Sequence, residues 1–216
     1  MLFRSPVLPL SLRAAVIDPF RDFTDRFGWR LALLTLAFMF LYKLGDSMAT
    51  ALSYPFYRDI GFSLSEIGVI AKAASLAAVI AGGLIGGVWM IRLGINNALW
   101  LFGGAQLISI LGFAVLAETG PDRTVLAVVI ILEYLGVGMG TAAFTAFIAR
   151  CTNPLYAATQ FALLTALTAL PRTFVNASTG FLVEQMGWTQ FFVLCFALGM
   201  PGMLLLTKVA PWQPKP

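Results

Sequence analysis

Six long apolar stretches restrict the possible folds of this chain more than any other feature. They cover residues 31–52, 67–89, 98–117, 125–148, 156–183 and 188–207. About 20 apolar residues, each adding about 1.5 Å, let a helix cross about 30 Å of hydrocarbon. With 59% hydrophobic and 11% charged residues, the composition is also outside the range of soluble domains. The chain is therefore expected to cross a membrane repeatedly.

Helices are the structure that these stretches are expected to adopt. Strands of a membrane barrel are about half as long and alternate in polarity, whereas these stretches do not alternate. Backbone groups in lipid need hydrogen bonds within their own segment, which a helix provides. The sequence predicts an all-α integral membrane protein with six transmembrane helices in one domain, 29–210, and a short tail, 211–216.

Residues 1–28 form a separate N-terminal arm. Two prolines and an arginine interrupt its apolar run, which argues against a signal peptide. Between Arg13 and Arg30, aromatic and aliphatic residues alternate with charges. This pattern favours an amphipathic helix on the membrane surface, and a disordered linker is the alternative interpretation.

Basic residues in the short loops indicate the orientation of the helices, because Lys and Arg favour the cytoplasmic side. One side carries nine of them, namely Arg4, Arg13, Arg21, Arg26, Arg30, Arg92, Arg150, Lys208 and Lys215. The other side carries only Arg58 and Arg123. We therefore expect both termini to be cytoplasmic. The net charge of +4 is attributed to these loops, and no nucleic-acid partner is expected.

Five charged residues lie inside the apolar stretches, namely Lys43, Asp46, Lys72, Glu133 and Arg172. Counted from the predicted outer ends, they share one layer, roughly 8 to 16 Å below the outer surface. Each costs at least about 2.5–3.5 kcal/mol in hydrocarbon, so all five need partners or water. We expect a hydrated pathway lined by the first, second, fourth and fifth stretches, with the third and sixth as outer supports. Alternatively, ion pairs such as Lys43–Asp46 and Glu133–Arg172 only fix helix packing.

The order of polar and apolar stretches also repeats. In each group of three, the first two carry charges and the third carries none away from its ends. Two triplets of opposite orientation correspond to the 3+3 inverted repeat of secondary transporters. On the fifth stretch, Thr165, Thr168, Arg172, Asn176 and Thr179 share one face that is expected to avoid lipid.

The sequence gives less support to an enzyme, a metal-binding protein, a channel or a scaffold. The chain has no histidine and two cysteines, Cys151 and Cys195, with no CxxC pair. No metal site, cofactor or enzymatic constellation is expected, and proton transfer would have to use carboxylates. A six-helix channel, or a scaffold held by structural ion pairs, remains the alternative.

Four stretches of sequence resemble a known family. They are Phe20-Arg21-Asp22-Phe23 leading into Gly28-Trp29-Arg30, then Leu41-Tyr42-Lys43-Leu44-Gly45-Asp46, then Pro55-Phe56-Tyr57 running to Gly61-Phe62-Ser63, and Ala158-Thr159-Gln160-Phe161 with Leu170-Pro171-Arg172 behind it. Together they resemble the AmpG-type muropeptide permeases of the major facilitator superfamily. Complete members have twelve spans, so the chain resembles the C-terminal half, with the arm as the central linker.

The resemblance implies proton-driven import of anhydromuramyl peptides across the bacterial inner membrane. We expect Arg172, with Lys43 or Lys72, to bind a carboxylate of this small anionic glycopeptide. Gln160 and Asn176 would hydrogen-bond its sugar or amide groups, and Glu133 or Asp46 would carry the proton. The expected partners are membrane lipid and either the missing N-terminal six-helix half or a second copy of the chain.

Overall fold

The computed structural model describes the backbone of residues 12–213 and the side chains of residues 17–169, 173 and 177–213. Every regular element in this part of the chain is helical, which confirms the all-α prediction. The helices are α1 (Leu12–Phe27), α2 (Trp29–Tyr42), α3 (Leu44–Ala51), α4 (Ser53–Asp59), α5 (Leu64–Glu66), α6 (Ala73–Thr119), α7 (Arg123–Cys151) and α8 (Ala157–Val209). A π-helical turn, Ile67–Lys72, joins α5 to α6, and a 3-10 turn, Pro154–Tyr156, precedes α8.

Two glycines interrupt the two longest helices. Gly94 in α6 has φ 74° and ψ 162°, and Gly187 in α8 has φ 77° and ψ 170°. A residue with a Cβ is strained at such positive φ values, whereas glycine is not. α6 and α8 are therefore each two helices that meet at a glycine. The part of α6 beyond Gly94, residues 95–119, is called the second arm of α6 below.

Several helical stretches are long and apolar enough to cross a membrane. Among the described residues there are four, namely Trp29–Asp59, Leu64–Thr119, Arg123–Cys151 and Ala177–Val209, with mean hydropathies between 1.4 and 2.0. Large apolar side chains such as Leu84, Val88 and Ile108 are more than half exposed along them. Such an apolar exterior suits lipid. The chain is a multi-pass membrane protein.

Two apolar clusters fill the interior, and a polar layer separates them. The first includes Met48, Phe56, Ile110, Phe113 and Phe192. The second includes Phe38, Tyr42, Phe102, Phe144 and Phe147. Between the clusters lie Lys43, at the break between α2 and α3, and Asp46 of α3, together with Gln106 and Ser109 of the second arm of α6. This layer holds the candidate site.

α1 covers the stretch for which the sequence predicts an amphipathic helix. Phe23 is buried and packs on Phe27 with 4.8 Å between ring centroids, whereas Ile17 and Phe20 are exposed. The helix contacts both α2 and α8. Of the predicted arm, residues 1–11 lie outside the described part of the chain. The position of α1 on a membrane surface stays a prediction.

Candidate functional site

Lys43 lies at the break between α2 and α3, where its φ is −100° and its ψ is 0°. Three oxygens surround its Nζ: Asp46 Oδ2 at 3.6 Å, Gln106 Oε1 at 3.3 Å and Thr141 Oγ1 at 3.3 Å. An ammonium group has three hydrogens to donate, so each finds one acceptor. Of the two expected ion pairs, Lys43–Asp46 is therefore present.

Glu133 of α7 lies beside this ion pair and is completely buried. Ser109 donates a hydrogen bond to Glu133 Oε2. Asp46 and Lys43 are charged neighbours of Glu133: the Asp46 carboxylate repels its ionised form and the Lys43 ammonium attracts it. Three buried polar atoms in this group have no hydrogen-bond partner, namely Asp46 Oδ1, Glu133 Oε1 and Gln106 Nε2. The arrangement joins two carboxyl groups, one ammonium group and one hydroxyl group inside apolar helices.

Glycines of α7 let the second arm of α6 approach the site. A Cβ at Gly136 would lie 3.1 Å from the Cα of Gln106, and a Cβ at Gly140 would collide with Gln106 Oε1. The intervening Gly138 faces the other side, where a Cβ would collide with the carbonyl oxygen of Val79. Glycine at every second position thus brings two other helical segments close to α7.

The expectation that the third stretch is only an outer support is wrong. Gln106 and Ser109 belong to that stretch, and they contact Lys43 and Glu133 directly. Gln106 and Ser109 were not predicted as site residues because the prediction rested on charge and both side chains are neutral. Their spacing of three residues, which places them on one helix face, is the signal that could have found them.

Of the other predicted site residues whose side chains the structure describes, Lys72 and Gln160 are not in this cluster. Lys72 is exposed at the end of the π-helical turn, and its side chain makes no hydrogen bond or ion pair with the described residues. The side chains of Arg172 and Asn176 lie outside the described residues. Their predicted roles, and that of Lys72, stay predictions.

Gln160 lies in a separate network that joins α1 to the start of α8. Its Nε2 donates to Pro19 O and to Asp22 Oδ2, each at 2.8 Å. Its Oε1 accepts from the backbone N–H of Asn153 at 2.6 Å and from Arg26 at 3.2 Å. The Gln160 side chain is buried and fully bonded, so it connects three segments; its predicted substrate contact stays a prediction.

Asp22 completes this network on the α1 side. Asn153 Nδ2 donates to its Oδ1 at 2.8 Å, and Arg26 Nε donates to its Oδ2 at 2.9 Å. Partial burial raises the pKa of the Asp22 carboxyl, but the hydrogen bonds from Gln160, Asn153 and Arg26 outweigh burial and hold the pKa below its ordinary value of 3.8. The ionised form of Asp22 therefore stabilises the contact between α1 and α8.

Fold and site together define a multi-pass helical membrane protein with a buried cluster of ionisable groups. Within the described residues, no group of three His, Cys, Asp or Glu side chains could hold a metal ion. Charged groups this deep in apolar helices are typical of proteins that move solutes or ions.

Comparison with known proteins identifies the family. The chain is 40% identical over 200 residues to the anhydromuropeptide permease of Escherichia coli K12, a match that covers 92% of this chain and 40% of the permease. It is 35% identical over 193 residues to the putative transporter AmpG 4 of Rickettsia conorii, covering 89% and 46% of the two chains. The chain is therefore a homologue of the AmpG-type muropeptide permeases, which confirms the resemblance of its motifs.

A third relative matches over a similar share of both chains. An uncharacterised protein of Haemophilus influenzae is 48% identical over 200 residues, a match that covers 89% of this chain and 47% of that protein. The chain thus spans less than half the length of each of these relatives. No protein-family model matches the chain.

Proposed function

We propose that this chain is the C-terminal six-span half of a proton-coupled transporter of the major facilitator superfamily, and that it serves the import of anhydromuramyl peptides. The observation that carries the proposal is the buried cluster of Lys43, Asp46, Ser109 and Glu133. The relatives are a permease and a putative transporter, which supports a transport role for the cluster.

The count of six spans rests on the glycine breaks. The stretch Leu64–Thr119 has 56 residues, and at about 1.5 Å each it would be about 84 Å long, more than twice the hydrocarbon thickness. We therefore assign one span to each side of Gly94 and, by the same argument, of Gly187. Two triplets of opposite orientation then follow, as in an inverted repeat.

The proposed location is the bacterial inner membrane, with both termini in the cytoplasm. Cys151 and Cys195 are buried, so thiol labelling of the unsubstituted chain should be weak. A membrane-impermeant reagent added outside should label Ser65→Cys but not Gln213→Cys, since both positions are exposed and lie on opposite predicted sides. External labelling of Gln213→Cys would contradict this orientation.

A count of hydrogens supports proton binding at the cluster. Ser109 Oγ contacts two acceptors, Gln106 O at 2.7 Å and Glu133 Oε2, but it has only one hydrogen. The Asp46 carboxyl group is an electrostatic neighbour of Glu133, and Asp46 Oδ1 and Glu133 Oε1 both have no hydrogen-bond partner. One added proton on Glu133 Oε2 would supply the hydrogen that the Ser109 contacts lack. We infer that Glu133 and Asp46 bind and release the coupled proton.

Substrate binding is assigned to cationic and amide side chains. Arg172, with Lys43 or Lys72, would hold a carboxylate of the glycopeptide, and Asn176 and Gln160 would bind its sugar or amide groups. The exposure of Lys72 supports this assignment, because a cation on an apolar surface needs an anion or water. Arg172→Ala should raise the Kd for substrate at least about tenfold; an unchanged Kd would remove Arg172 from the site.

A structural scaffold is the second candidate, because the contacts Lys43–Gln106 and Ser109–Glu133 also connect different helical segments. Uptake measurements distinguish the two. In vesicles containing the chain and its partner half, Glu133→Gln should abolish proton-driven accumulation of substrate, whereas Glu184→Gln, the same change at an exposed position, should leave it intact. A non-transporting scaffold would give no accumulation even with the unsubstituted chain, and a cluster that is only structural would keep full accumulation in a folded Glu133→Gln protein.

A further inference from the structure

We propose that Gln106 is a positioning residue for proton coupling: its side-chain amide holds the Lys43 ammonium beside Asp46, and this fixes the pH at which the Asp46–Glu133 pair releases its proton. The inference rests on the proposed function, which gives that pair the coupling role. It adds a residue from the helical segment that carries no charge near the site.

The orientation of the amide follows from its neighbour. Lys43 Nζ has only hydrogens to offer, so the Gln106 atom that faces it at 3.3 Å must be the carbonyl oxygen. Gln106 is 4% exposed and has little room to move. Its Cα packs against Gly136, and its Oε1 occupies the space that a side chain at Gly140 would need. The amide oxygen is therefore a fixed acceptor for the ammonium group.

Lys43 supplies the positive charge closest to the carboxyl pair within the described part of the chain. The other ionisable neighbours are Tyr42, which interacts with Asp46, Tyr57 and Cys195, which interact with Glu133, and Tyr134, which interacts with both. None of these side chains is cationic. Because electrostatic attraction falls with distance and is strong away from water, the position of Lys43 decides how well the ionised pair is stabilised.

Without the amide oxygen, Lys43 has an alternative position. Thr141, its third acceptor, is exposed, so the ammonium group can move toward this side of the bundle. Lys43 would then lie farther from Asp46 and Glu133. The carboxyl pair would lose part of its attraction to the cation and would keep its proton to higher pH.

Infrared spectroscopy of the purified full chain in lipid nanodiscs tests this directly, because protonated carboxyl groups have their own carbonyl stretch. The pH midpoint of that band should rise by about one unit in Gln106→Met, which keeps the side-chain length but removes the amide. Gly140→Ala, which displaces the Gln106 oxygen, should shift the midpoint in the same direction. Gly83→Ala is the matched control, because a Cβ there meets nothing within 4 Å.

The outcomes separate this proposal from the proposed function. Because the other Asp and Glu side chains absorb as well, the component assigned to the pair is the one that Glu133→Gln removes from the pH difference spectrum. If Glu133→Gln removes no component, the carboxyl pair is not the proton site and the proposed function fails. If Glu133→Gln removes a component but Gln106→Met leaves its midpoint unchanged or lowers it, the role of Gln106 is overturned. Gln106→Met decides alone if Gly140→Ala does not fold.

Discussion

Gln160 is the residue through which α1 is most firmly attached to the rest of the molecule. Its buried amide makes four hydrogen bonds to Pro19, Asp22, Arg26 and Asn153. Gln160→Leu should lower the free energy of unfolding by about 2–3 kcal/mol, because partly buried partners lose their bonds. Denaturant unfolding in detergent measures the change. Gln185→Leu, the same substitution at an exposed position of α8, should change it by less than about 0.5 kcal/mol.

Asp22 should make the α1 contact sensitive to acid. Its pKa in the folded chain is below the ordinary value of 3.8, so the ionised carboxyl stabilises the fold above that value and the stabilisation is lost as pH falls through the folded pKa. Below about pH 4 the unsubstituted chain should therefore lose stability faster than Asp22→Asn. Thermal unfolding between pH 3 and 6 measures this difference. Asp25→Asn, the same change at an exposed position, is the control. An equal loss of stability on acidification in Asp22→Asn and in the unsubstituted chain would contradict the prediction.

At the residue scale, the sequence reveals charged members of the site but not neutral ones. Lys43, Asp46 and Glu133 could be predicted because a charge in an apolar helix is rare and needs a partner. Gln106 and Ser109 share one helix face, but that spacing alone is a weaker signal than a charge, because neutral polar residues in membrane helices are common and their role depends on which helix faces them. That pairing is set by Gly136 and Gly140 on another segment.

At the element scale, two neighbouring pairs of glycines on α6 have opposite environments. A Cβ at Gly82 would collide with the carbonyl oxygen of Leu135, and one at Gly86 would lie 2.8 Å from the Cα of Met139. Gly83 and Gly87, each one residue farther on, have nothing within 4 Å. Only the first pair therefore allows α6 to pack closely on α7.

Alanine substitutions of these glycines should separate packing from helix propensity. Gly82→Ala and Gly86→Ala should destabilise the chain by about 1–3 kcal/mol, because the α6 and α7 backbones must move apart. Gly83→Ala and Gly87→Ala should be neutral or stabilising by up to about 1 kcal/mol, since alanine favours helix. Unfolding curves of the four variants test the contrast. Equal effects at all four positions would contradict the packing assigned to α6 and α7.

The elements themselves were largely predictable, and their ends less so. Apolar length alone indicates the helices. The first predicted span, 31–52, stops short of the observed helical run, which continues through α4 to Asp59. Pro55 is compatible with this longer run because it lies in the first turn of α4, where a missing N–H costs no bond. The break at Lys43 was not predicted from the sequence.

At the scale of the whole molecule, the chain presents polar groups that it does not cover itself. Lys72 and Thr141 are exposed on apolar helices, and the chain spans only 47% or less of its relatives. Alternating access in secondary transporters requires two bundles that rock around a site between them. A surface of this kind is therefore expected to face a second six-span unit, which is the proposed N-terminal half or another copy of the chain.

Transport by the isolated chain tests the requirement for two bundles. Reconstituted as a monomer in proteoliposomes, the chain should not accumulate an anhydromuramyl peptide under an imposed proton gradient, because one bundle cannot close a site against both sides of the membrane. Adding the proposed N-terminal half, or enforcing dimers through a fused dimerisation domain, should produce accumulation that Glu133→Gln abolishes. Cross-linking before the assay establishes the oligomeric state. Accumulation by a verified monomer would mean that these six spans form a complete pathway, and the half-transporter proposal would be wrong.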